Sequence, residues 1–240
     1  MGKKPLRPNI SNAAQRLAVF DCDGTLVDSA HSIISSMQAA CSNLGHHQPE
    51  SGDIRRTVGL PVEDAVARLF PEMKHDHVWA VREEFRKIFV RLRDKGEIHE
   101  PLYDGVVETL RALDGAGWLL GVATGKSLSG LKSTLNIHDL HHHFVTLQTA
   151  DLSFGKPDPD MLHKAMRDTG VDKKRTVMIG DTSFDMEMAR NAGTLAIGVT
   201  WGYHDVDELL EAGAQGVVAN FFQIPQAIAD LLKAETCQTV

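Results

Sequence analysis

Short apolar runs that alternate with helical patterns limit most strongly how this chain can fold. The runs occupy residues 17–20, 118–123, 176–179, 194–199 and 216–218. Each run is short and free of charged side chains, which favours strands that are buried on both faces. Between the runs, apolar residues recur at steps of three or four, as in amphipathic helices. The alternation predicts an α/β fold, in which a parallel sheet is covered by helices on both sides.

The stretch from about residue 30 to residue 100 interrupts this alternation. It contains no run typical of a strand, and its apolar residues follow one another at helical steps. The longest such series is Val78, Val81, Phe85, Ile88 and Leu92. A helical block between the first and second strands predicts a separate small domain that covers one end of the sheet as a lid.

We therefore predict two domains. Residues 1–28 and 101–240 form the core that contains the sheet, and residues 29–100 form an α-helical cap. Because both connections leave the same end of the sheet, we place the hinges near residues 28–29 and 100–103.

Composition excludes several functional classes. Hydrophobic residues make up 42% and charged residues 24% of the 240 residues, which is typical of a globular protein. The formal net charge of −7 argues against a nucleic-acid partner bound through bulk positive charge. No apolar run approaches the roughly 20 residues that span a bilayer, and the three cysteines are too few for a disulfide framework. We expect a cytoplasmic protein, monomeric or homodimeric, with no nucleic-acid or membrane partner.

Polar side chains follow three of the apolar runs at the point where each run ends. Asp21 and Asp23 follow the first run, and Thr124 follows the second. Asp181 and Asp185 follow the third. Because the carboxyl ends of parallel strands lie along one edge of a sheet, where ligands bind, we expect these side chains to meet.

Crowded carboxylates repel one another unless a cation neutralises them. Mg²⁺ suits such a site because it binds carboxylates together with the oxygens of a substrate phosphate. Lys156 follows a further strand candidate, residues 144–147, and supplies a second positive charge. Backbone amides at the Gly24 and Gly125 turns add donors for phosphate oxygens. The set predicts a site that holds a phosphoryl group, with one carboxylate left to act as the nucleophile.

The residues at these positions resemble four signatures of the haloacid dehalogenase-like hydrolase superfamily. The signatures are DCDGTLVDS at residues 21–29, the turn at Thr124, Lys156, and GDTSFD at residues 180–185, in the family's order. The resemblance covers about residues 15–230. It implies a Rossmann-like parallel-sheet core with an inserted α-helical cap. It also implies Mg²⁺-dependent hydrolysis of a small phosphorylated metabolite through an aspartyl-phosphate.

The resemblance also implies a role for each residue. Asp21 resembles the nucleophile that attacks phosphorus, and Asp23 resembles the general acid and base. Asp185 is expected to orient Lys156 or a metal-bound water. The implied catalytic residues are Asp21, Asp23, Thr124 and Lys156. The implied substrate-binding residues are Asp21, Gly24, Thr124, Gly125 and Lys156. The implied Mg²⁺ ligands are Asp21, the backbone carbonyl of Asp23, and Asp181.

Details of the sequence discriminate among the activities of the superfamily. The dehalogenases lack the second aspartate of the first signature, so Asp23 favours phosphate chemistry. β-Phosphoglucomutases place Arg where Val62 stands and His where Ile33 stands, which weakens the alternative of a phosphomutase or phosphotransferase acting on a sugar phosphate. Residues 198–203 resemble phosphoglycolate phosphatases, which makes phosphoglycolate the first substrate to test. Gly125 stands where those enzymes commonly carry Asn, a departure that affects one phosphate or water contact and no catalytic group.

Structural alternatives stay open for five of the site residues. Asp21 and Asp23 follow a strand, where turn and cap residues are common. Thr124 is a candidate N-cap for the helix that begins near residue 127. Lys156 is alternatively a solvated loop residue, and Asp185 is alternatively an acid of a first helical turn favoured by the helix dipole.

Other charged or reactive residues are interpreted as structural. Lys126 is expected to be solvated near the mouth of the site, and Cys22 is expected to pack in the core. The cluster His141–His143 is interpreted as a surface loop, with a metal site as the alternative. Three basic residues of the cap are interpreted as a solvated face, with contact to a second anionic group of the substrate as the alternative: Arg55, Arg56 and Lys74.

Overall fold

The computed structural model describes residues 15–237, so residues 1–14 and 238–240 of the predicted core lie outside it. The strands are β1 (Leu17–Phe20), β2 (Leu119–Thr124), β3 (Phe144–Thr149), β4 (Thr176–Gly180), β5 (Leu195–Val199) and β6 (Gly216–Val218). They form one sheet in the order β3-β2-β1-β4-β5-β6, and every neighbouring pair is parallel. Each predicted run is a strand, and the prediction of a Rossmann-like parallel sheet is confirmed.

Helices fill the intervals between these strands. They are α1 (Ala30–Asn43), α2 (Ser51–Arg55), α3 (Val62–Leu69), α4 (His75–Asp94), α5 (Val106–Gly115), α6 (Leu128–Ile137), α7 (Asp160–Thr169), α8 (Ser183–Ala192), α9 (Val206–Ala212) and α10 (Ile224–Cys237). Within the part of the chain that the structure describes, no helix combines the length and the apolar character needed to cross a bilayer.

Strand β1 lies in the sheet between β2 and β4. Leu17 is level with Leu119 of β2 and with Thr176 of β4. All four residues of β1 are wholly buried, which explains why the sequence of this strand is entirely apolar. The strand order changes direction at β1, and ligands of such sheets bind beyond the carboxyl ends of the strands at this point.

The side chains of β1 alternate between two apolar clusters. Ala18 and Phe20 pack into one cluster, whereas Leu17 and Val19 pack into the other. The sheet is therefore covered on both faces, as its apolar runs predict. Cys22 is wholly buried in the first cluster, which confirms its interpretation as a packing residue.

Helices α1 to α4 lie between β1 and α5 in the chain and have an apolar cluster of their own. Met37 of α1, Val66 of α3 and Phe85 of α4 pack in this cluster. The separate cluster explains why the sequence between the first two strands is helical in its periodicity throughout. The prediction of an inserted helical cap agrees with this arrangement.

The two connections between core and cap run side by side. The backbone N–H of Asp28 donates to the carbonyl of Pro101 at 2.9 Å. Val27 also forms an isolated antiparallel bridge with Leu102. This pairing brings both connections to the carboxyl end of β1. The domain bounds at residues 29 and 100 stay predictions.

Candidate active site

Three buried carboxylates meet at the carboxyl edge of the sheet. Asp21 follows β1, Asp181 follows β4, and Asp185 lies in the first turn of α8. Each is wholly buried, and one oxygen from each lies within 4.8 Å of the other two. The register explains the meeting, because β1 and β4 are neighbouring parallel strands whose ends are level. The N–H of Asp21 continues this pairing by donating to the carbonyl of Ile179 at 2.9 Å.

Lys156 lies among these carboxylates. Its Nζ atom is 2.8 Å from Oδ1 of Asp21 and 2.6 Å from Oδ1 of Asp185, and the side chain has no exposed surface. The alternative that Lys156 is a solvated loop residue is therefore wrong, and its predicted place among the site carboxylates agrees with the structure. Burial acts to lower the pKa of Lys156, but the carboxylates of Asp185 and Asp21 outweigh it and hold that pKa above its ordinary value. The ammonium group consequently stays charged at neutral pH.

Three carboxylates carry more negative charge than the single ammonium group of Lys156 can neutralise. Burial, opposed by Lys156, raises the pKa of Asp21 to about 7. Burial and the neighbouring acids, Asp21 first, raise the pKa of Asp181 well above its ordinary value. Oδ2 of Asp21 accepts no hydrogen bond from the described residues, although it is buried. An oxygen-rich, negatively charged and partly unsatisfied group of this kind fits a hard divalent cation such as Mg²⁺.

The side chain of Asp23 does not belong to this group of carboxylates. Its Oδ1 atom accepts a hydrogen bond from Oγ of Ser29 and lies 2.9 Å from Nζ of Lys126. The acid that joins Asp21 and Asp181 in the group of possible metal ligands is Asp185, not the side chain of Asp23. The implied Mg²⁺ ligand at Asp23 is its backbone carbonyl, and that assignment stays a prediction.

The two carboxylate oxygens of Asp185 contact different groups. Oδ2 accepts from the backbone N–H of Thr182 at 3.1 Å and from the Thr182 hydroxyl at 2.7 Å, as in a capping box at the start of α8. Oδ1 faces Lys156. The helix-capping role and the lysine-orienting role are therefore carried by the same side chain.

Thr124 ends β2 and is wholly buried. Its Oγ1 atom accepts a hydrogen bond from the backbone N–H of Lys126 at 3.2 Å, which leaves the hydroxyl proton available to a ligand. Helix α6 is instead capped by Ser127, whose side chain accepts from the N–H of Gly130, so the N-cap interpretation of Thr124 is wrong.

Gly125 packs directly against the cap. A Cβ atom at this position would lie 2.6 Å from the carbonyl oxygen of Leu60 and 2.8 Å from that of Gly59. These are backbone atoms of the cap and cannot move without moving the cap. The absence of an Asn side chain here follows from the close approach of the two domains.

Asp181 is held by two donors. Thr25 Oγ1 donates to its Oδ1 at 2.8 Å, and the backbone N–H of Tyr203 donates to its Oδ2 at 3.0 Å. The sequence predicted a backbone-amide role for the Gly24-Thr25 turn but neither of these two hydrogen bonds. The signal for Thr25 was its place in the DCDGT segment, whereas Tyr203 is distant in the chain and its donor is a backbone group.

The comparison with known proteins decides the family. Residues 18–199, more than half of the chain, match the family model described as haloacid dehalogenase-like hydrolase. The chain belongs to this family. Its sequence is 37% identical over 221 residues to the protein named "Probable phosphatase IndB" of Dickeya dadantii (strain 3937), covering 90% of this chain and 95% of that one.

Two further proteins are similar to this chain over most of its length. Phosphoglycolate phosphatase of Agrobacterium fabrum is 31% identical over 237 residues, with 97% of each chain covered. The crystal structure of a predicted phosphatase from Clostridium acetobutylicum has a TM-score of 0.81 at 25% identity, covering 90% of this chain and 99% of the other. The prediction of a phosphatase-type hydrolase of this family is confirmed.

A cavity of about 170 Å³ lies between core and cap, and its wall includes Asp23 but none of the three carboxylates that meet at the sheet edge. The core contributes Asp23 and Lys126 to its wall. Helix α4 of the cap contributes three arginines, Arg82, Arg86 and Arg93. The remaining wall from the cap is largely apolar and includes Ile33, Met37, Ile54, Val62, Phe85 and Phe89.

The structure corrects the prediction for Lys126 and agrees with the interpretation of the basic cap residues as a solvated face, since Arg55, Arg56 and Lys74 are exposed. Lys126 is not solvated, because only 9% of its side chain is exposed and it is paired with two carboxylates. Arg55, Arg56 and Lys74 do not line the cavity, and Arg56 instead pairs with Glu208 near the surface. Periodicity within α4 indicates which residues face inward, but it cannot tell which cap helix faces the core.

The segment His141–His143 forms one turn of 3₁₀ helix, and His143 is buried. Among the described residues, the group that could hold a metal ion consists of the three aspartates and includes none of these histidines. The metal-site alternative for the cluster is therefore not supported within residues 15–237.

Replacing Gly24 by alanine is expected to lower phosphomonoester hydrolysis about 10- to 100-fold, because the residues around a ligand carboxylate fix its orientation. Gly24 has a φ of +80°, and an added Cβ would lie 2.2 Å from Oδ2 of Asp181. Gly45→Ala is the matched control, since Gly45 has a φ of +75° and nothing within 4 Å of an added Cβ. Equal losses of kcat/KM in the two variants would show that backbone strain, and not displacement of Asp181, is responsible.

Proposed function

We propose that this chain is a Mg²⁺-dependent phosphatase that hydrolyses a small phosphorylated metabolite through an aspartyl-phosphate on Asp21. One observation carries the proposal. Asp21 is a buried carboxylate with one oxygen held by Lys156 at 2.8 Å and the other without a hydrogen-bond donor among the described residues. An oxygen of this kind is oriented and poorly solvated, and both properties favour nucleophilic attack.

Asp21, Asp181 and the backbone carbonyl of Asp23 would hold the Mg²⁺ ion. Its chemistry there is to neutralise negative charge, so that an anionic carboxylate and an anionic phosphoryl group approach each other. The buried excess of carboxylates over Lys156 supports this assignment. Thr25, through its hydrogen bond, keeps Asp181 in place for it.

The first chemical step transfers the phosphoryl group to Asp21. A carboxylate oxygen of Asp21 forms a bond to phosphorus while the bond from phosphorus to the leaving oxygen breaks. The leaving oxygen takes the electron pair and receives a proton from Asp23. Lys156 and the free hydroxyl proton of Thr124 bind the oxygens of the transferring group, where negative charge is concentrated.

The second step releases phosphate. The carboxylate of Asp23 accepts a proton from a water molecule, and the water oxygen attacks the phosphorus of the aspartyl-phosphate. The phosphorus–oxygen bond to Asp21 breaks, which regenerates its carboxylate and yields inorganic phosphate. Asp23 suits both steps because it lines the cavity and is only 6% exposed.

The cavity supports a small anionic substrate. Its volume of about 170 Å³ is below the range of about 300 to 1,000 Å³ typical of sites for drug-sized ligands. The guanidinium group of Arg93 suits a second anionic group of the substrate, whereas Arg82 and Arg86 already pair with Glu63 and Glu83 of the cap. Phosphoglycolate, which carries a carboxylate, is the first candidate, and a relative 31% identical bears that substrate in its name.

The alternative of a phosphomutase acting on a sugar phosphate is less well supported. Ile33 and Val62 line the cavity, so apolar groups occupy the two positions where β-phosphoglucomutases place His and Arg. Fewer polar groups are then available to hold a second phosphate or a sugar hydroxyl. Release of inorganic phosphate, measured beside formation of any isomeric sugar phosphate, separates the two activities.

Chelation of metal by EDTA is expected to abolish hydrolysis of 4-nitrophenyl phosphate and phosphoglycolate, and excess MgCl₂ is expected to restore it. The measurement is phosphate release over a panel of small phosphorylated metabolites, with and without EDTA. Full activity in EDTA would refute the metal requirement. No phosphate release from any member of the panel in the presence of Mg²⁺ would refute the proposed function itself.

A further inference from the structure

A second buried lysine contacts the acid and base of the site. Nζ of Lys126 lies 2.9 Å from Oδ1 of Asp23 and 2.7 Å from Oε1 of Glu100. All three side chains are at most 9% exposed. The proposed chemistry leaves Lys126 and Glu100 without a role. Burying a lysine and a glutamate is unfavourable unless they are well paired, so this arrangement needs an explanation.

Glu100 is itself fixed to the core. Its second oxygen, Oε2, accepts a hydrogen bond from Oγ1 of Thr134 at 2.8 Å. Its backbone carbonyl is hydrogen-bonded to Nε2 of His138 at 2.8 Å. Thr134 lies in α6 and His138 directly follows that helix. Glu100 therefore ties the second connection between core and cap to a helix of the core, and it presents its other oxygen to Lys126.

Lys126 contacts one of the two carboxylate oxygens of Asp23. The ammonium group and the hydroxyl of Ser29 both engage Oδ1, which leaves Oδ2 of Asp23 to exchange the proton. Nζ of Lys126 also lies 5.5 Å from the ring centroid of Phe89 on the cap helix α4. One side chain thus contacts the proton-transferring acid, the connection between the domains and the cap.

We propose that Lys126 is a positioning residue that holds the carboxylate of Asp23 in the orientation for proton transfer, and that Glu100 in turn holds Lys126. The proposal rests on the proposed function, since it concerns the proton transfers of that reaction. Lys126 does not exchange protons with the substrate. Its ion pair fixes Oδ1, and Oδ2 is thereby aimed towards the leaving oxygen.

The test compares two substrates, of which only one has a leaving group that must be protonated as it departs. The leaving group of 4-nitrophenyl phosphate departs as a stable anion, whereas an alkyl phosphate such as phosphoglycolate requires protonation of its leaving oxygen. The value of kcat/KM reports the steps up to formation of the aspartyl-phosphate and is the quantity to compare. Lys126→Met is expected to lower kcat/KM about 100-fold for the alkyl phosphate and less than about 10-fold for 4-nitrophenyl phosphate.

Three further variants make the test specific. Lys126→Arg restores the cation and is expected to recover most of the lost activity on the alkyl phosphate. Glu100→Gln keeps the shape of the side chain and leaves Lys126 paired with Asp23. It is expected to lower kcat/KM more for the alkyl phosphate than for 4-nitrophenyl phosphate, but by less than Lys126→Met does. Lys87→Met is the matched control, because Lys87 is an exposed cap lysine that pairs with Glu84 at 3.8 Å, and the change is expected to leave the hydrolysis of both substrates unaffected.

Equal losses of kcat/KM for the two substrates in Lys126→Met would overturn the proposal, because a general loss of structure or of substrate binding does not depend on the leaving group. Unchanged kinetics would overturn it as well. If circular dichroism shows that Lys126→Met is unfolded, Glu100→Gln decides by the same criterion. The alkyl phosphate used is the member of the metabolite panel that the wild type hydrolyses fastest. Wild-type protein that releases phosphate from no member of the panel in Mg²⁺ would refute the proposed function and this inference with it, whereas an active wild type with an equally active Lys126→Met refutes only this inference.

Discussion

The Asp21→Asn variant is expected to lose hydrolysis of 4-nitrophenyl phosphate and phosphoglycolate by at least about 10⁴-fold, because an amide oxygen cannot form the aspartyl-phosphate. Both substrates are expected to be affected, since in the proposed mechanism both transfer their phosphoryl group to this residue. The assay is phosphate release in excess Mg²⁺. Retention of more than a few per cent of wild-type activity would contradict the role of Asp21 as nucleophile.

Folding of this variant is expected to be preserved. The carboxylate of Asp21 is buried, and its pKa is raised to about 7, so the folded state disfavours the ionised form. Without added metal, the cost of ionising Asp21 therefore grows as the pH rises from about 4 to about 7 and is fully present at higher pH, and an uncharged Asn removes this cost. The melting temperature at pH 8 should equal or exceed that of the wild type. Asp207→Asn, in the exposed first turn of α9, is the matched control and should leave activity unchanged.

The Lys156→Met variant is expected to lose both stability and activity. Its ammonium group pairs with Asp21 and Asp185, and all of these groups are buried. Removing one partner from a buried ionic group leaves unpaired charge and costs about 3–5 kcal/mol. Because Lys156 is proposed to bind the phosphoryl oxygens, its loss is expected to lower kcat about 10²- to 10³-fold. Urea unfolding gives the first quantity, and steady-state kinetics in excess Mg²⁺ gives the second.

A double variant separates the two effects of Lys156. In Lys156→Met combined with Asp185→Asn, one of the unpaired carboxylates is removed, so stability should recover in part while activity stays low. Lys174→Met, a change at an exposed residue near the start of β4, is the control and should alter neither quantity. Loss of activity with no loss of stability in Lys156→Met would contradict the claim that the buried ion pairs of Lys156 stabilise the fold.

The positions of Asp21 and Asp181 were predictable from the sequence for a simple reason. Each directly follows an apolar run, and a short apolar run without charges is buried on both faces of a parallel sheet. The carboxyl ends of such strands share one edge, so the acids that follow them share it too. The sequence could not distinguish the two roles of Asp185, because capping α8 and facing Lys156 depend on different oxygens of one carboxylate.

Local periodicity in the sequence determined the strands, the helical cap and the set of acids at the carboxyl edge, because these follow from which residues must be buried. Only the tertiary structure decided the surroundings of Lys126, which is paired with Asp23 and Glu100 rather than solvated. The same holds for the arginines of α4 that line the cavity. The ion pair between Lys126 and Asp23 depends on how the ends of two neighbouring strands lie in the core, and the contacts of Glu100 and the arginines depend on how the cap and its connection lie against the core. These contacts join residues far apart in the chain, and no local pattern of apolar and charged residues encodes which of them meet.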